Sequence, residues 1–244
     1  MKLRTITFNM CHGEGIDGII DVKRQAELLK QYQPDILFLQ EIDLYTDRVN
    51  KENQIQDFSE YIGLPYNSMG TYINYKNGFY GDGILSKFPI AYSANYLMPK
   101  QSPENETRGV LCNKIPFGTT KLNLFSAHLS TCEEERIIAA KEIMKLVKRI
   151  NQEEVIIIGG DFNVGKKKIG KHLYEYEQKD TYEEYEILKE SLNKIGNCEP
   201  TWSMNQYQGC IDSIFYSKSI QLNKEITIQT DVSDHNPVLA EFEI

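Results

Sequence analysis

The chain has 244 residues, 41% hydrophobic and 25% charged, ordinary globular proportions that exclude a fibrous or disordered chain and allow a core without covalent staples. A formal net charge of −8 argues against a surface that attracts polyanions everywhere, because long nucleic acids are held largely by Lys and Arg neutralising phosphates; only a local basic groove stays open to them. No run reaches the roughly 20 apolar residues that cross a bilayer, and Cys11, Cys112, Cys132, Cys198 and Cys210 are odd in number and lack metal-finger spacing. Neither a disulfide framework nor a structural zinc is expected, and the expected setting is reducing and cytoplasmic.

In chain order, the first residues alternate in character like a strand and lack the long apolar stretch of a secretory signal. Short, mostly β-branched runs predict strands at 3–8, 36–39, 83–85, 110–115, 122–127, 155–158, 211–216 and 238–242. Helical periodicity is clearest over 133–150, with Ile137, Ala140, Met144 and Val147 on one face, and over 21–32, with Val22, Ala26 and Leu29. Weaker helical patterns cover 53–62 and 182–192. Turns are expected at 13–15, 77–78, 81–83 and 159–160. No repeat or Pro/Gly/Ser linker divides the chain, so one domain over 1–244 is expected, with sheet packed on sheet and helices on the outer faces.

The polar residues fall at strand ends. Asn9 follows the first strand, Gln40-Glu41 the second, Asp161-Phe162-Asn163 the run from Val155, and Asp234-His235 precedes the last. Rigid sheets present active-site groups this way. Singly, each has a bland alternative: Asn9 could cap a turn, Glu41 could start a helix, and Asp161 could bond its own loop. The run Val155 to Asn163 is harder to dismiss, because a buried strand and paired glycines deliver a carboxylate and a carboxamide two residues apart, on one side of an extended chain. Ser233-Asp234-His235-Asn236-Pro237 offers a cation-seeking carboxylate and a phosphate donor, or a turn stiffened by Pro. Asp212 would be isolated in an apolar strand and must find a partner, for which His235 is the natural choice. His128 ends the 122–127 strand and alone reads more readily as structural. A Cys11-His12 thiol nucleophile lacks a third group.

Thr7-Phe8-Asn9, Leu39-Gln40-Glu41, Gly83 to Ile90, Glu106-Thr107-Arg108-Gly109, Ala127-His128-Leu129, Gly160-Asp161-Phe162-Asn163, Ile211-Asp212 and Ser233-Asp234-His235 stand in the order seen in the endonuclease/exonuclease/phosphatase superfamily, and the resemblance spans nearly the whole chain. It implies a four-layer α/β sandwich, two mostly antiparallel sheets face to face with helices outside, and Mg²⁺- or Mn²⁺-dependent cleavage of phosphate esters. Carried onto this sequence, Glu41 resembles the principal metal ligand, with Asn9 and Asp234 lining the metal site. Asp161 resembles the group that orients or deprotonates water. Asn163 and His128 resemble phosphate and transition-state donors, and His235, paired with Asp212, the essential histidine; Asp161 and His235 both stand as candidates for the base. Arg108 could add charge at the phosphate, or simply pair with Glu106. Lys166, in a basic segment over 165–171, could gather phosphate-bearing substrates, or belong to a solvated loop.

Two departures bear on substrate. Relatives that incise DNA at abasic sites commonly carry Asp at the position of Cys11, and many relatives carry Arg before the position of Asp212, where this chain has Gly209-Cys210. With the acidic balance, these favour a phosphodiesterase or phosphatase on a small or lipid-derived ester over a nuclease, and leave a noncatalytic binding protein as a third reading. No protein partner is expected. Specificity is expected in loops over 43–53, 66–80 and 165–181, where Tyr72, Tyr75 and Tyr80 could stack on a base or a sugar.

Overall fold

The computed structural model describes residues 1–170, 173–195, 199–204 and 207–244. Two six-stranded sheets dominate it. The first runs edge to edge as β15 (Gln221–Thr227), β16 (Val238–Glu243), β1 (Lys2–Asn9), β2 (Ile36–Leu44), β4 (Gly78–Ser86) and β3 (Tyr66–Tyr75). The second runs as β11 (Leu192–Lys194), β14 (Asp212–Ser217), β8 (Val155–Asp161), β7 (Thr120–His128), β6 (Gly109–Phe117) and β5 (Tyr92–Leu97). Each holds one parallel pair, β1 with β2 and β7 with β8, among antiparallel neighbours. Two hairpins, β9 (Lys166–Gly170) with β10 (Leu173–Tyr176) and β12 (Trp202–Met204) with β13 (Tyr207–Gly209), lie apart from the sheets.

Side-chain alternation makes the layers. On β8, Val155 and Ile157 join a core shared with Leu3, Ile36 and Phe38 of the first sheet, while Ile156 and Ile158 join one formed with helix α3 (Glu133–Val147) and helix α4 (Glu183–Lys189). On β2, Leu37 and Leu39 instead pack with Val22, Ala26 and Leu29 of α1 (Val22–Lys30) and Phe58 of α2 (Gln54–Ile62). Period-two strands that bury both faces leave no wet side, which is why they read as continuous apolar runs. The result is helices, sheet, sheet, helices, the α/β sandwich expected.

The helices begin where their polar residues fix them. Asp21 accepts from the Arg24 amide and Asn53 from the Gln56 amide, satisfying donors that a helix start leaves bare, while Glu133, Glu134 and Glu135 crowd the first turn of α3, where the helix dipole favours negative charge. The buried stripe of α3 is Ala139, Ala140, Ile143, Met144 and Val147, with Ile137 only partly covered.

Several expectations need correction. The 66–80 segment is not a loop but β3, a tight turn and the start of β4, so Gly81-Asp82-Gly83 lies inside a strand. Tyr72 and Tyr80 are buried and cannot stack on a substrate. The basic segment after Gly165 forms strand β9 of a hairpin rather than a free loop. Cys210 is disulfide-bonded, against the expectation for the cysteines, while Cys11, Cys112 and Cys132 are free thiols. Lys171, His172 and Cys198 lie outside the described residues.

The paired glycines of β8 permit the close approach their sequence implied. A Cβ on Gly159 would sit 2.4 Å from the Phe38 ring across the sandwich, and one on Gly160 2.0 Å from the Ala127 carbonyl oxygen. Gly159→Ala should therefore cost about 1–3 kcal/mol in urea unfolding, and Phe38→Leu in the same chain should return part of it. An unchanged midpoint for the single variant would show that the sheets can separate there freely.

Candidate active site

Strand register brings the polar residues into one row. Across the second sheet, Gly109 stands opposite His128, His128 opposite Asp161, and Asp161 opposite Asp212. On the first sheet Asn9 stands opposite Gln40, and the β2–β4 ladder breaks between Leu39 and Ile42. This irregularity holds Glu41 at φ 62°, a left-handed backbone that non-glycine residues rarely adopt, and bulges of this kind re-aim side chains near functional sites. Asn163 (φ 50°), Cys11 (φ 44°) and His12 (φ 46°) share the same geometry. Other left-handed residues such as Asn50 and Asn77 sit in turns, where that backbone is ordinary, whereas at Glu41 it falls within β2 and aims a carboxylate.

Asn9 joins the two sheets. Its Nδ2 donates to Glu41 Oε1 at 3.0 Å and to Asp161 Oδ2 at 3.1 Å, and its Oδ1 accepts from the Cys11 amide at 3.0 Å. His235 Nδ1 is 2.8 Å from Asp212 Oδ2, and its Nε2 lies 3.8 Å from Asp161 Oδ2. His128 Nε2 lies 3.5 Å from Asp161 Oδ2 and 4.0 Å from Glu41 Oε1. The Ser233 hydroxyl donates to the Asn9 carbonyl and accepts from the His235 amide, which ties the Asp234-His235 segment to the end of β1. Asn163 donates through Nδ2 to the Leu129 carbonyl, leaving its buried Oδ1 without a partner.

Arg108 pairs with Glu106, one of its two expected readings, and also reaches His128. Its Nη1 is 3.0 Å from Glu106 Oε1 and 2.9 Å from both ring nitrogens of His128, a contact with the ring edge rather than two directed hydrogen bonds. Lys166 sits 4.5 Å from the Trp202 ring centroid and 4.9 Å from that of Tyr174, a cation held over two aromatic faces. Both cations line a cleft of about 530 Å³ together with Ser130 and Lys168.

The charges divide sharply. Burial, then the neighbouring Asp212 carboxylate, pushes Asp161 up to about 6 against the pull of His235. Burial alone would lower His235, but Asp212 and Asp234 raise it to about 9. His128 is driven well below its ordinary value by burial and then by Arg108, so it is neutral near pH 7. Burial would raise Glu41, yet His128 when charged and Arg108 hold it far below the carboxylate range; with His128 neutral, Arg108 is the permanent charge that does so. The Cys11 thiol is pushed above its usual range by burial, then Glu41 and Asp234, which disfavours a free thiolate nucleophile.

A divalent cation fits this donor set. Glu41 is ionised and 25% exposed at its side chain; the neighbouring group of Asp161, Asp212 and His235 is not the cation's seat, because His235 carries a proton on each ring nitrogen and is bonded to Asp212. Asp82 was not singled out by its sequence, where two glycines made it read as turn. It is wholly buried on β4, with Oδ2 accepting from Tyr72 and Oδ1 3.8 Å from His128 Nδ1, so it backs His128 from behind. A charge inside an apolar strand was the signal available.

Several solved structures share this fold. An endonuclease/exonuclease/phosphatase from Beutenbergia cavernae has 17% identity and a TM-score of 0.79, with 100% of this chain and 72% of that chain covered. TDP2 from D. rerio, solved with a single-strand DNA product, has 19% identity and a TM-score of 0.73, covering 100% and 99%. A mannosyl-6-phosphatase from Bacteroides thetaiotaomicron has 16% identity and a TM-score of 0.69, covering 99% and 100%. No curated protein matches the chain by sequence. Residues 6–235 match the sequence profile described as the Endonuclease/Exonuclease/phosphatase family, a superfamily of hydrolytic phosphoesterases, and with nearly the whole chain matched the protein belongs to that family.

Proposed function

We propose that the protein hydrolyses phosphate esters with a divalent cation, Mg²⁺ or Mn²⁺, and that its substrate is small or lipid-derived, cleaved as a phosphodiester or phosphomonoester. The observation that carries this reading is the Asn9 carboxamide bonded to both Glu41 and Asp161, beside a His235 held by Asp212. A hard cation on Glu41, with Asn9 and Asp234 beside it, would polarise a phosphoryl oxygen and offset the charge that builds during in-line attack.

The remaining steps belong to the chain. Asp161, with a pKa near neutrality, is suited to take a proton from the attacking water. His235 stays protonated at neutral pH and donates from Nε2 to a phosphoryl oxygen, its ring fixed through Nδ1 by Asp212. Asn163 and neutral His128 complete the donors, each adding no negative charge. Arg108 and Lys166, on the wall of the cleft, bind the anionic ester. The net charge favours a small substrate, and the likeness to a mannosyl-6-phosphatase supports that reading. The TDP2 complex with a DNA product keeps a nuclease as the second reading.

A panel of sugar phosphates, nucleotides, phospholipids, RNA and DNA, each with Mg²⁺ or Mn²⁺, decides between them. Release of phosphate from small esters without nicking supports the first reading. Metal-dependent nicking that disappears in Glu41→Gln supports the nuclease, and no hydrolysis of any ester with no cation bound supports a binding protein. His235→Ala should leave the fold intact and lower turnover on the order of 10²-fold or more; wild-type rates in that variant would remove His235 from the chemistry.

The pH profile follows from the two groups. Activity needs Asp161 ionised and His235 protonated, so kcat/KM should rise through about pH 6 and fall through about pH 9. Asp212→Asn removes the charge that raises His235, and its alkaline limb should move toward neutrality. An alkaline limb that stays in place would contradict the assignment.

A further inference from the structure

Next to the Asn9 network lies a second set of donor atoms with different chemistry. Cys11 and His12 leave the end of β1 in a 3-10 turn, Cys11–Gly13, whose left-handed backbone folds the chain toward β2. The Cys11 sulfur, a His12 ring nitrogen and a Glu41 oxygen come within 4.8 Å of one another. Cys11 is a free thiol. His12 is only 7% exposed, its Nε2 is 2.9 Å from Glu14 Oε2, and its buried Nδ1 has no hydrogen-bond partner.

A buried ring nitrogen without a partner is destabilising on its own account. Proteins that bind a cation through histidine commonly place one ring N–H on a carboxylate and leave the other nitrogen for the metal, which is the state of His12 here. Sulfur, imidazole nitrogen and carboxylate oxygen together suit a borderline cation such as Zn²⁺, whereas Mg²⁺ prefers oxygen ligands and retained water.

We propose that Cys11, His12 and Glu41 form a binding site for a zinc-class divalent cation, with Glu14 as the residue that orients His12. The inference rests on the reading of Glu41 as a metal ligand and goes beyond it by assigning the softer ligands. Binding releases the Cys11 thiol proton to solvent. Because Glu41 belongs to both donor sets, the sulfur and the imidazole bias which cation occupies it.

Cobalt(II) is the probe for the test. The full chain, stripped with a chelator and titrated with Co²⁺, should develop a near-ultraviolet sulfur-to-cobalt charge-transfer band that Zn²⁺ abolishes by displacement. Cys11→Asp should still bind Co²⁺, seen in its visible ligand-field absorption, but lose that band, and Cys112→Ser should keep it. Glu14→Gln should weaken Zn²⁺ binding about 10- to 100-fold. A wild-type chain without the band, or a band that persists in Cys11→Asp, overturns the site. If that happens while Mg²⁺- or Mn²⁺-dependent hydrolysis is intact, the functional reading stands; if neither Mn²⁺ nor Co²⁺ binds and no ester is cleaved, both fall.

Discussion

One carboxamide holds the arrangement together. Asn9 is fully buried at the end of β1, and its Nδ2 reaches Glu41 on the first sheet and Asp161 on the second. Two carboxylates drawn toward one point repel each other, and a neutral double donor between them eases that repulsion. Gln40 repeats the pattern one step deeper, donating through Nε2 to Ser126 Oγ across the same interface. The sheets are therefore tied by polar contacts at the end that carries the site and by apolar packing elsewhere.

The charge states follow from what each group faces. Asp161 is buried and faces the Asp212 carboxylate and rises, whereas His235 rises against its burial because Asp212 and Asp234 flank it. A carboxyl and an imidazolium pushed in the same direction from different ordinary values end on opposite sides of neutrality, which separates an acceptor from a donor. Burial, and then Arg108, keeps His128 neutral, while Arg108 helps to keep Glu41 ionised. The same Arg108 lines the neighbouring cleft with Lys166.

Much of this was legible before any coordinates, and the reasons are physical. The central strands β1, β2, β7, β8 and β16 are buried on both faces, so their apolar runs announce themselves. Edge strands β3, β5 and β15 are largely exposed or partly covered; their polar residues carry no period, and only pairing with a neighbour defines them. The 36–39 run ended too soon in sequence because Gln40 and Glu41 interrupt it, although β2 continues to Leu44 through the irregularity that aims Glu41. Asp82 was hidden by its glycines. His12 carried a weak signal alone, since Glu14 and Glu41 become its neighbours only when the 3-10 turn folds back on β2.

Whether the acidic and imidazole groups converge on one cation can be read directly by anomalous scattering from crystals soaked in Mn²⁺. The account predicts a single strong peak at ligand distance from Glu41, close to Asn9 and facing Asp161 and His235. A catalytically competent crystal with its manganese bound away from Glu41 would contradict it.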